Sequence, residues 1–298
     1  MAKISTSAST LMPVADARAR ILDAMKTVSA ESVSLAQARG RVLADDVIAR
    51  VTQPPVAVSA MDGYAVRAAD VASVPATLTV IGEAPAGGAF DGNVGAGQAV
   101  RIFTGGPVPT GADAIVIQED TMRDGDQVTV KEAVLAGRFI RPAGLDFSAG
   151  DVGVEAGRTL TARDIALCAA MNVPWLRVRR RPRVAVLANG DELVMPGDTI
   201  GPNQIVSSNN VGLCALIDAS GGEAIDLGIA PDDADGLVAM AAGARGADLL
   251  ITIGGASVGD HDLIQSVLGE SGLNVDFWRI AMRPGKPLIF GHFGDVPM

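Results

Sequence analysis

The chain has 298 residues, of which 48% are hydrophobic, 19% charged and 3% aromatic, with a formal net charge of −10. That length and apolar content suit two or more domains with cores of Ala, Val, Leu and Ile, and the acidic balance argues against a nucleic-acid partner, which needs Lys and Arg on its phosphates. An anionic ligand has to be held here by local donors: backbone N–H groups, helix N-termini, a few cations or a bridging metal ion.

Other classes are disfavoured as well. Cys168 and Cys214 lie in apolar, helix-like runs and are expected as buried thiols. There is no CxxC pair, and the histidines are His261 and His292, so a Cys/His zinc site does not fit. Met1–Pro13 is Ser/Thr-rich without an apolar signal-peptide region. No stretch reaches the roughly 18 to 20 uninterrupted apolar residues of a spanning helix, so no membrane partner is expected and the cytoplasm is the expected location.

Residues 14–49 read as helical, because Val14, Ala17, Ile21, Leu22 and Met25 recur at helical spacing. Ser34 precedes a second short helix, Leu35 to Arg39, which Gly40 breaks. After Pro54 and Pro55 the texture changes. From about 74 to 135, short β-branched runs alternate with Gly, Pro and Asp: Thr77–Ile81, Val100–Phe103, Asp113–Ile117 and Gln127–Val130. Such regular short runs predict a β-rich domain. Residues 138–158 are rich in Gly, Asp and Ala, and Thr161 can cap a helix from Ala162 to Met171. That helix is expected to join the N-terminal helices, giving a small mixed helical connector domain from residues 14–50 and 138–179, around a β-rich domain at 51–137.

From 180 to 298 the pattern alternates strand and helix. Val184–Ala188, Ala224–Ile229 and Leu249–Ile253 read as buried strands. Asn209–Ala219, capped by Ser208 or Asn209, and Asp232–Ala244 read as helices, with another from about Asp260 to Leu268. This order predicts a mostly parallel sheet with helices on both faces, and ligands in such sheets bind beyond the carboxyl ends of the strands.

The candidate chemistry sits in the turns. Val184–Ala188 runs into Asn189-Gly190-Asp191-Glu192, and Leu249–Ile253 runs into Gly254, Gly255, Ser257, Gly259, Asp260 and Asp262. Glycines let the backbone approach a ligand and turn N–H groups toward oxygens. Asp260 and Glu192 read equally well as ordinary helix-capping acids. The loop Arg283-Pro284-Gly285-Lys286-Pro287 puts two cations on one short segment, suited to an oxyanion, although a solvated basic turn would look the same. In the N-terminal half, Asp62 precedes Gly63 and the chain's only tyrosine, Tyr64, while Thr104 precedes Gly105 and Gly106. Alone, each is a turn signature. Several carboxylates around an anionic ligand imply a hard cation such as Mg²⁺, which takes one or two carboxylates plus ligand phosphates. A Ser–His–Asp hydrolase fits poorly, because no GxSxG elbow precedes a helix.

Seven short stretches, in this order, resemble the molybdopterin molybdenumtransferases, the MoeA family, to which the gephyrin E domain is similar. They are SAMDGYA (59–65), GEAPAGG (82–88), RIFTGGPVP (101–109), GLDFSAGD (144–151), NGDEL (189–193), GGASVGDHD (254–262) and RPGKP (283–287). The resemblance implies a multidomain α/β fold: a three-layer α/β/α molybdopterin-binding-like domain, incomplete at its C-terminus, beside the β-rich and connector domains. It implies insertion of molybdate into adenylylated molybdopterin with Mg²⁺, releasing AMP and forming molybdenum cofactor. It also implies a homodimer with an active site between subunits, and the molybdopterin adenylyltransferase as a further partner.

Carried over by motif, the functional positions resemble Asp62, Thr104, Asp146, Glu192, Asp232 and Asp262. Gly190, Asp191, Gly254, Gly255, Ser257, Gly259, Arg283 and Lys286 would bind the pterin nucleotide and molybdate, and Glu192 and Asp262 would bind metal or orient water. Asp233 and Asp235 compete with Asp232 for its place. Asn189 stands where the family usually has Thr, and Arg283 where Lys is common. Family members are expected to continue with a Gly-Leu-Pro-Gly-Asn-Pro stretch and a further β domain. The alternative to the enzyme is therefore a non-catalytic pterin-binding or scaffold relative.

Overall fold

The structure, a computed structural model, describes residues 11–254 and 272–298. Its helices are α1 (Val14–Ala24), α2 (Leu35–Ala38), α3 (Ala162–Ala170), α4 (Ser208–Ala219) and α5 (Ala234–Ala241). The chain divides into two compact units, one from Ser32 to Val178 and the other from the residues up to Glu31 together with Arg179–Met298. The fold is multidomain α/β and rich in sheet.

The unit 32–178 contains a six-stranded mixed sheet. Its strands run in the order Ala114–Ile117, Gly63–Val66, Gln98–Ile102, Ala76–Ala84, Gln127–Val130, Thr121–Asp124. Gln98–Ile102 and Ala76–Ala84 pair in parallel, and the other neighbours are antiparallel. Side chains alternate between two buried faces. Tyr64, Val66, Ala114 and Val116 enter one core with Leu78 and Val128, while Ala65, Ile115, Val100 and Ile102 enter another with Ala84 and Val94. Burial on both faces explains the continuous apolar runs in the sequence, which lack the alternation of a half-exposed sheet. The strand Gly63–Val66 had read as part of a turn; only four residues long and behind an Asp-Gly pair, it offers no periodicity.

A separate core in the same unit joins Val33, Ala38, Leu43, Val47 and Ala49 to Val154, Leu160, Cys168, Met171, Leu176 and Val178. The helical expectation for 14–49 holds for α1 and for the short helix α2, and is corrected between and after them. Ala30–Ser34 is a strand paired with Trp175–Arg179, α2 spans four residues, and Val47–Ile48 pairs with Val152–Val154. Residues Leu43 and Ala49 bond through their backbone to Arg158 and Asp151. The apolar positions of this stretch meet neighbours distant in sequence, so tertiary pairing overrides the local spacing. The predicted cap of α3 is found: Thr161 and Asp164 form a reciprocal capping box.

In the other unit, Glu223–Ala230, Arg183–Asn189 and Leu249–Ile253 form a parallel three-stranded sheet in that order. Val184 and Val186 pack with Leu213, Cys214 and Ile217 of α4. Ala185 and Leu187 pack with Leu237 and Ala241 of α5. Helices therefore cover both faces of the central strand. α4 starts at Ser208 with no side-chain cap bond, so the expected capping role of Ser208 or Asn209 is not found. α5 starts at Ala234 rather than Asp232, because Asp233 caps it by accepting from the Gly236 N–H at 2.7 Å. Cys168 is buried as expected, but Cys214 is only half-buried.

At the amino edge of this sheet, Arg180 donates to both Asp248 oxygens at 2.7 and 2.6 Å, and the Arg183 N–H adds a third bond at 2.7 Å. Farther on, Leu273–Arg279, Pro287–Phe293 and Val296–Pro297 form an antiparallel sheet. The N-terminal segment packs against it: Ala17, Met12, Ile21, Ala24 and Met25 meet Phe277, Ile280 and Phe290. Among the described residues, no helix is long and apolar enough to cross a membrane.

Candidate functional site

In the unit 32–178, the sheet order brings three sequence motifs to one end. Gly63–Val66 pairs with Gln98–Ile102, which pairs with Ala76–Ala84, so the turns holding Asp62, Thr104 and Pro85–Gly88 adjoin. Backbone bonds tie the first two turns together: the Ser59 N–H donates to Gly106 O, and the Gly105 N–H donates to Ser59 O, both at 2.9 Å. The Asp62 carboxylate completes the junction, with Oδ1 accepting from the Thr104 N–H at 2.7 Å and the Thr104 hydroxyl at 2.8 Å. Those bonds, backbone first, with the nearby Arg101 charge, hold the Asp62 carboxyl below its ordinary pKa against a small desolvation effect. Gly63 is required beside it, because a Cβ there would fall on the Val116 carbonyl oxygen of the neighbouring strand. Two turn signatures that carried little weight singly thus form one hydrogen-bonded pair.

Asp146 takes a different partner. Its carboxylate accepts from Arg141 at 3.0 and 2.8 Å, and its N–H donates to Gln53 O at 3.0 Å. Both side chains are substantially exposed, so this pair contributes little to stability.

In the other unit, the carboxyl edge of the parallel sheet gathers the second group. Asn189 and Ala230 are register partners at the ends of their strands, and Ala188 pairs with Ile253 just before Gly254. The Asn189 side-chain amide donates to Asp232 Oδ1 at 2.7 Å. Asp191 and Asp232 exchange backbone-to-carboxylate bonds at 3.3 and 3.1 Å. Asn189 is 5% exposed, and its Oδ1 is buried with no hydrogen-bond partner. Gly254 has φ +97°, and a Cβ on it would fall on the Asn189 carbonyl oxygen, so only glycine lets this strand end close against its neighbour. Glu192 is exposed, with its carboxylate lying where a Cβ of Gly190 would project.

Arg283 and Lys286 are both exposed on the connection between Leu273–Arg279 and Pro287–Phe293. The Ile280 N–H donates to Lys286 O at 3.0 Å and closes the base of this loop. Met12 grips the same base, accepting from the Ala281 N–H at 2.7 Å and bridging to Ile280. Gly255, Ser257, Gly259 and Asp262, with the expected helix Asp260–Leu268, lie outside the described residues.

The sequence reading missed three residues beside Asp62. The Arg101 guanidinium lies 5.1 Å from the Tyr64 ring centroid and 5.0 Å from that of Phe103, and it donates to Gln118 Oε1 at 2.8 Å. Arg101 and Phe103 stood inside a quoted motif, but nothing in their spacing told of contact with Gln118. Asn189 was noted only as a departure from Thr.

Known proteins resemble this chain in sequence and fold. The profile of the MoeA N-terminal region (domain I and II) matches residues 12–172, and one described as "Probable molybdopterin binding domain" matches residues 185–296. A molybdopterin molybdenumtransferase of Nostoc sp. is 39% identical over 272 residues, covering 90% of this chain and 62% of that protein. One from Haemophilus influenzae is 37% identical over 284 residues, covering 94% and 70% respectively. The solved structure of a molybdopterin biosynthesis MoeA protein from Pyrococcus horikoshii matches with a TM-score of 0.84 at 31% identity, over 97% of this chain and 73% of that one. The chain thus spans 62% to 73% of the length of these relatives. With both profiles matched in succession and relatives at this identity across nine tenths of its residues, the chain belongs to the MoeA family.

Proposed function

We propose that the protein inserts molybdate into adenylylated molybdopterin, releasing AMP and forming molybdenum cofactor. The observation that carries this reading is the carboxyl edge of the parallel sheet, where Asn189, Asp191, Asp232 and Gly254 meet. Open α/β sheets bind ligands at that edge, and here it combines close backbone approach with a buried, unpaired amide oxygen. In this reading, Gly190, Asp191, Gly254, Gly255, Ser257 and Gly259 receive the phosphates of the pterin nucleotide through backbone N–H groups. Arg283 and Lys286 meet molybdate, a tetrahedral dianion. Asp232 holds Asn189 and Asp191 in place, and Glu192 and Asp262 orient the water that cleaves the phosphoanhydride. Asp62 and Thr104 position the pterin, and Asp146 with Arg141 orders the loop beside them.

The residues present suit Mg²⁺. Among the described residues no three His, Cys, Asp or Glu side chains cluster as a metal cage, and Mg²⁺ characteristically takes one or two carboxylates and completes its shell with phosphate and water. Glu192 and Asp262 would hold it, and the buried Asn189 Oδ1 adds a hard oxygen donor at the same edge. Bound there, Mg²⁺ would neutralise charge on the phosphoanhydride.

The family also suggests a homodimer, a molybdopterin adenylyltransferase that supplies the substrate, action in the cytoplasm, and a division into connector (14–50, 138–179), β-rich (51–137) and three-layer α/β/α (180–298) domains. The decisive experiment incubates the purified protein with adenylylated molybdopterin, molybdate and Mg²⁺ and follows AMP. Molybdate-dependent AMP release with cofactor formation is expected. Tight binding without AMP release would overturn the enzyme reading in favour of a scaffold.

A further inference from the structure

Arg101 is an arginine inside a buried strand: Val100 and Ile102 on either side of it are fully buried. Its register partner on the neighbouring strand is Tyr64, and Phe103 lies two residues on, so all three side chains share one face of the sheet. The guanidinium is flanked by both rings, at 5.1 and 5.0 Å from their centroids. That separation is within cation–π range. Its two terminal nitrogens then reach one backbone carbonyl beside Asp62 and one side-chain amide. One donates to Gly63 O at 3.3 Å, and the other donates to Gln118 Oε1 at 2.8 Å. The Gln118 N–H donates to Asp62 O at 3.0 Å. A closed ring results: Asp62 to Thr104, Thr104 through the chain to Phe103, Phe103 to Arg101, Arg101 to Gln118, and Gln118 back to Asp62.

Inside that ring, both Thr104 donors converge on Asp62 Oδ1. Among the described residues, Oδ2 has no donor, so it is the oxygen left for a ligand. We propose that Arg101 is a positioning residue for the pterin site: stacked between Tyr64 and Phe103, it fixes the chain around Asp62 so that Oδ1 stays on Thr104 and Oδ2 faces an N–H or O–H donor of the ligand. The inference rests on the function proposed above for Asp62. Its electrostatics agree, since the Thr104 bonds first and the Arg101 charge after them favour the ionised carboxylate. Lysine cannot replace arginine here, because a single ammonium lacks the planar fork that stacks on two rings while donating in two directions.

The test uses R101K and R101M in the full chain, with two readouts. Carbon-detected NMR follows the Asp62 carboxyl titration and the Thr104 amide, independently of turnover. AMP release gives KM for adenylylated molybdopterin and kcat. The expected result is a raised Asp62 pKa in R101M, a displaced Thr104 amide resonance in both variants, and KM increased about tenfold, the equivalent of one lost hydrogen bond, with kcat changed less than about twofold. A folded variant with unchanged Asp62 titration and Thr104 resonance overturns the positioning role. If R101M does not fold, R101K decides by the Thr104 resonance and the KM-against-kcat split. Absence of AMP release from the unaltered protein would defeat the proposed function alone and leave the NMR arm intact.

Discussion

Asn189 and Asp232 are joined across the carboxyl edge of the parallel sheet, the Asn189 amide donating to Asp232 Oδ1 at 2.7 Å. An ionised carboxylate only accepts, so the NH₂ end of the amide must face Asp232 and its oxygen must face away. That oxygen is buried and unpaired. A buried acceptor without a donor costs about 1 to 3 kcal/mol, and a bound donor or cation would recover it. Substituting Asn189→Asp replaces the donor with a second carboxylate against the first. The expected outcome is a loss of affinity for adenylylated molybdopterin of about tenfold or more at neutral pH, with partial recovery on acidification as the pair takes up a proton. Calorimetric titration across pH checks it; unchanged affinity at neutral pH would remove Asn189 from the site.

The same pair shows where the sequence is legible and where it stops. Asp232, Asp233 and Asp235 are equivalent acids in a row, and spacing could not separate them. The structure does so through neighbours 41 to 43 residues away: Asp232 meets Asn189 and Asp191, whereas Asp233 caps α5. Local signals performed well where the cause is local. Gln127–Val130 is a strand and Thr161 caps α3 as the side-chain chemistry indicates. The helical spacing of Val14 to Met25 is realised in α1, but its extension to 49 fails, because Val33, Leu43 and Val47 pack with Val154, Leu160 and Val178. Asp62 and Thr104, 42 residues apart, could be joined only by knowing which strands are neighbours.

Gly63 connects that pair to the sheet. It sits between two strands, register-paired with both Ile102 and Ile117, and a Cβ on it would fall on the Val116 carbonyl oxygen. Gly63→Ala must therefore push the strand Gly63–Val66 away from its packed neighbour Ala114–Ile117, the edge strand of the sheet. Overpacking of this kind costs about 1 to 3 kcal/mol. Urea unfolding should show a midpoint shift of that size, and the Thr104 amide should lose its bond to Asp62. A variant of unchanged stability would mean the strands are not held at this spacing.

Besides Asp62, two carboxylates held low in the fold contribute to the acid response. Asp248 is held below its ordinary pKa by Arg180 first and then by the Arg183 N–H, against desolvation. Asp164 is held low by the Thr161 hydroxyl and N–H and by Arg158. A depressed folded pKa means that the unfolded chain binds more protons, so stability is full above the unfolded value near 4 and is lost as pH falls below it. Chemical unfolding should show a plateau above about pH 5 and a decline below about pH 4. Asp248→Asn should cost about 1 to 2 kcal/mol at pH 7, its partner being part-exposed, and should flatten the decline. An equally steep acid limb in that variant would assign the effect to other groups.

The cationic loop draws its geometry from the other end of the unit's sequence. Arg283 and Lys286 lie between two strands whose inner residues, Phe277 and Phe290, are 5.5 Å apart at their ring centroids and pack on Ala17 of α1. Met12, two residues before that helix, bonds to the loop's base at Arg279 and Ala281. Ala17 is 2% exposed, so Ala17→Asp places a charge in an apolar contact where nothing pairs with it. Because α1 has only 11 residues and little stability outside this packing, it should detach rather than carry the charge inside. Hydrogen exchange should then quicken at Ala281 and Ile280, whose N–H groups bond to Met12 and Lys286, while the parallel sheet around Ala185 and Leu187 keeps its protection. Molybdate affinity should fall several-fold, as two exposed cations held in one geometry become two cations on a mobile loop. Retention of both exchange protection and affinity would show that the loop holds its shape without α1.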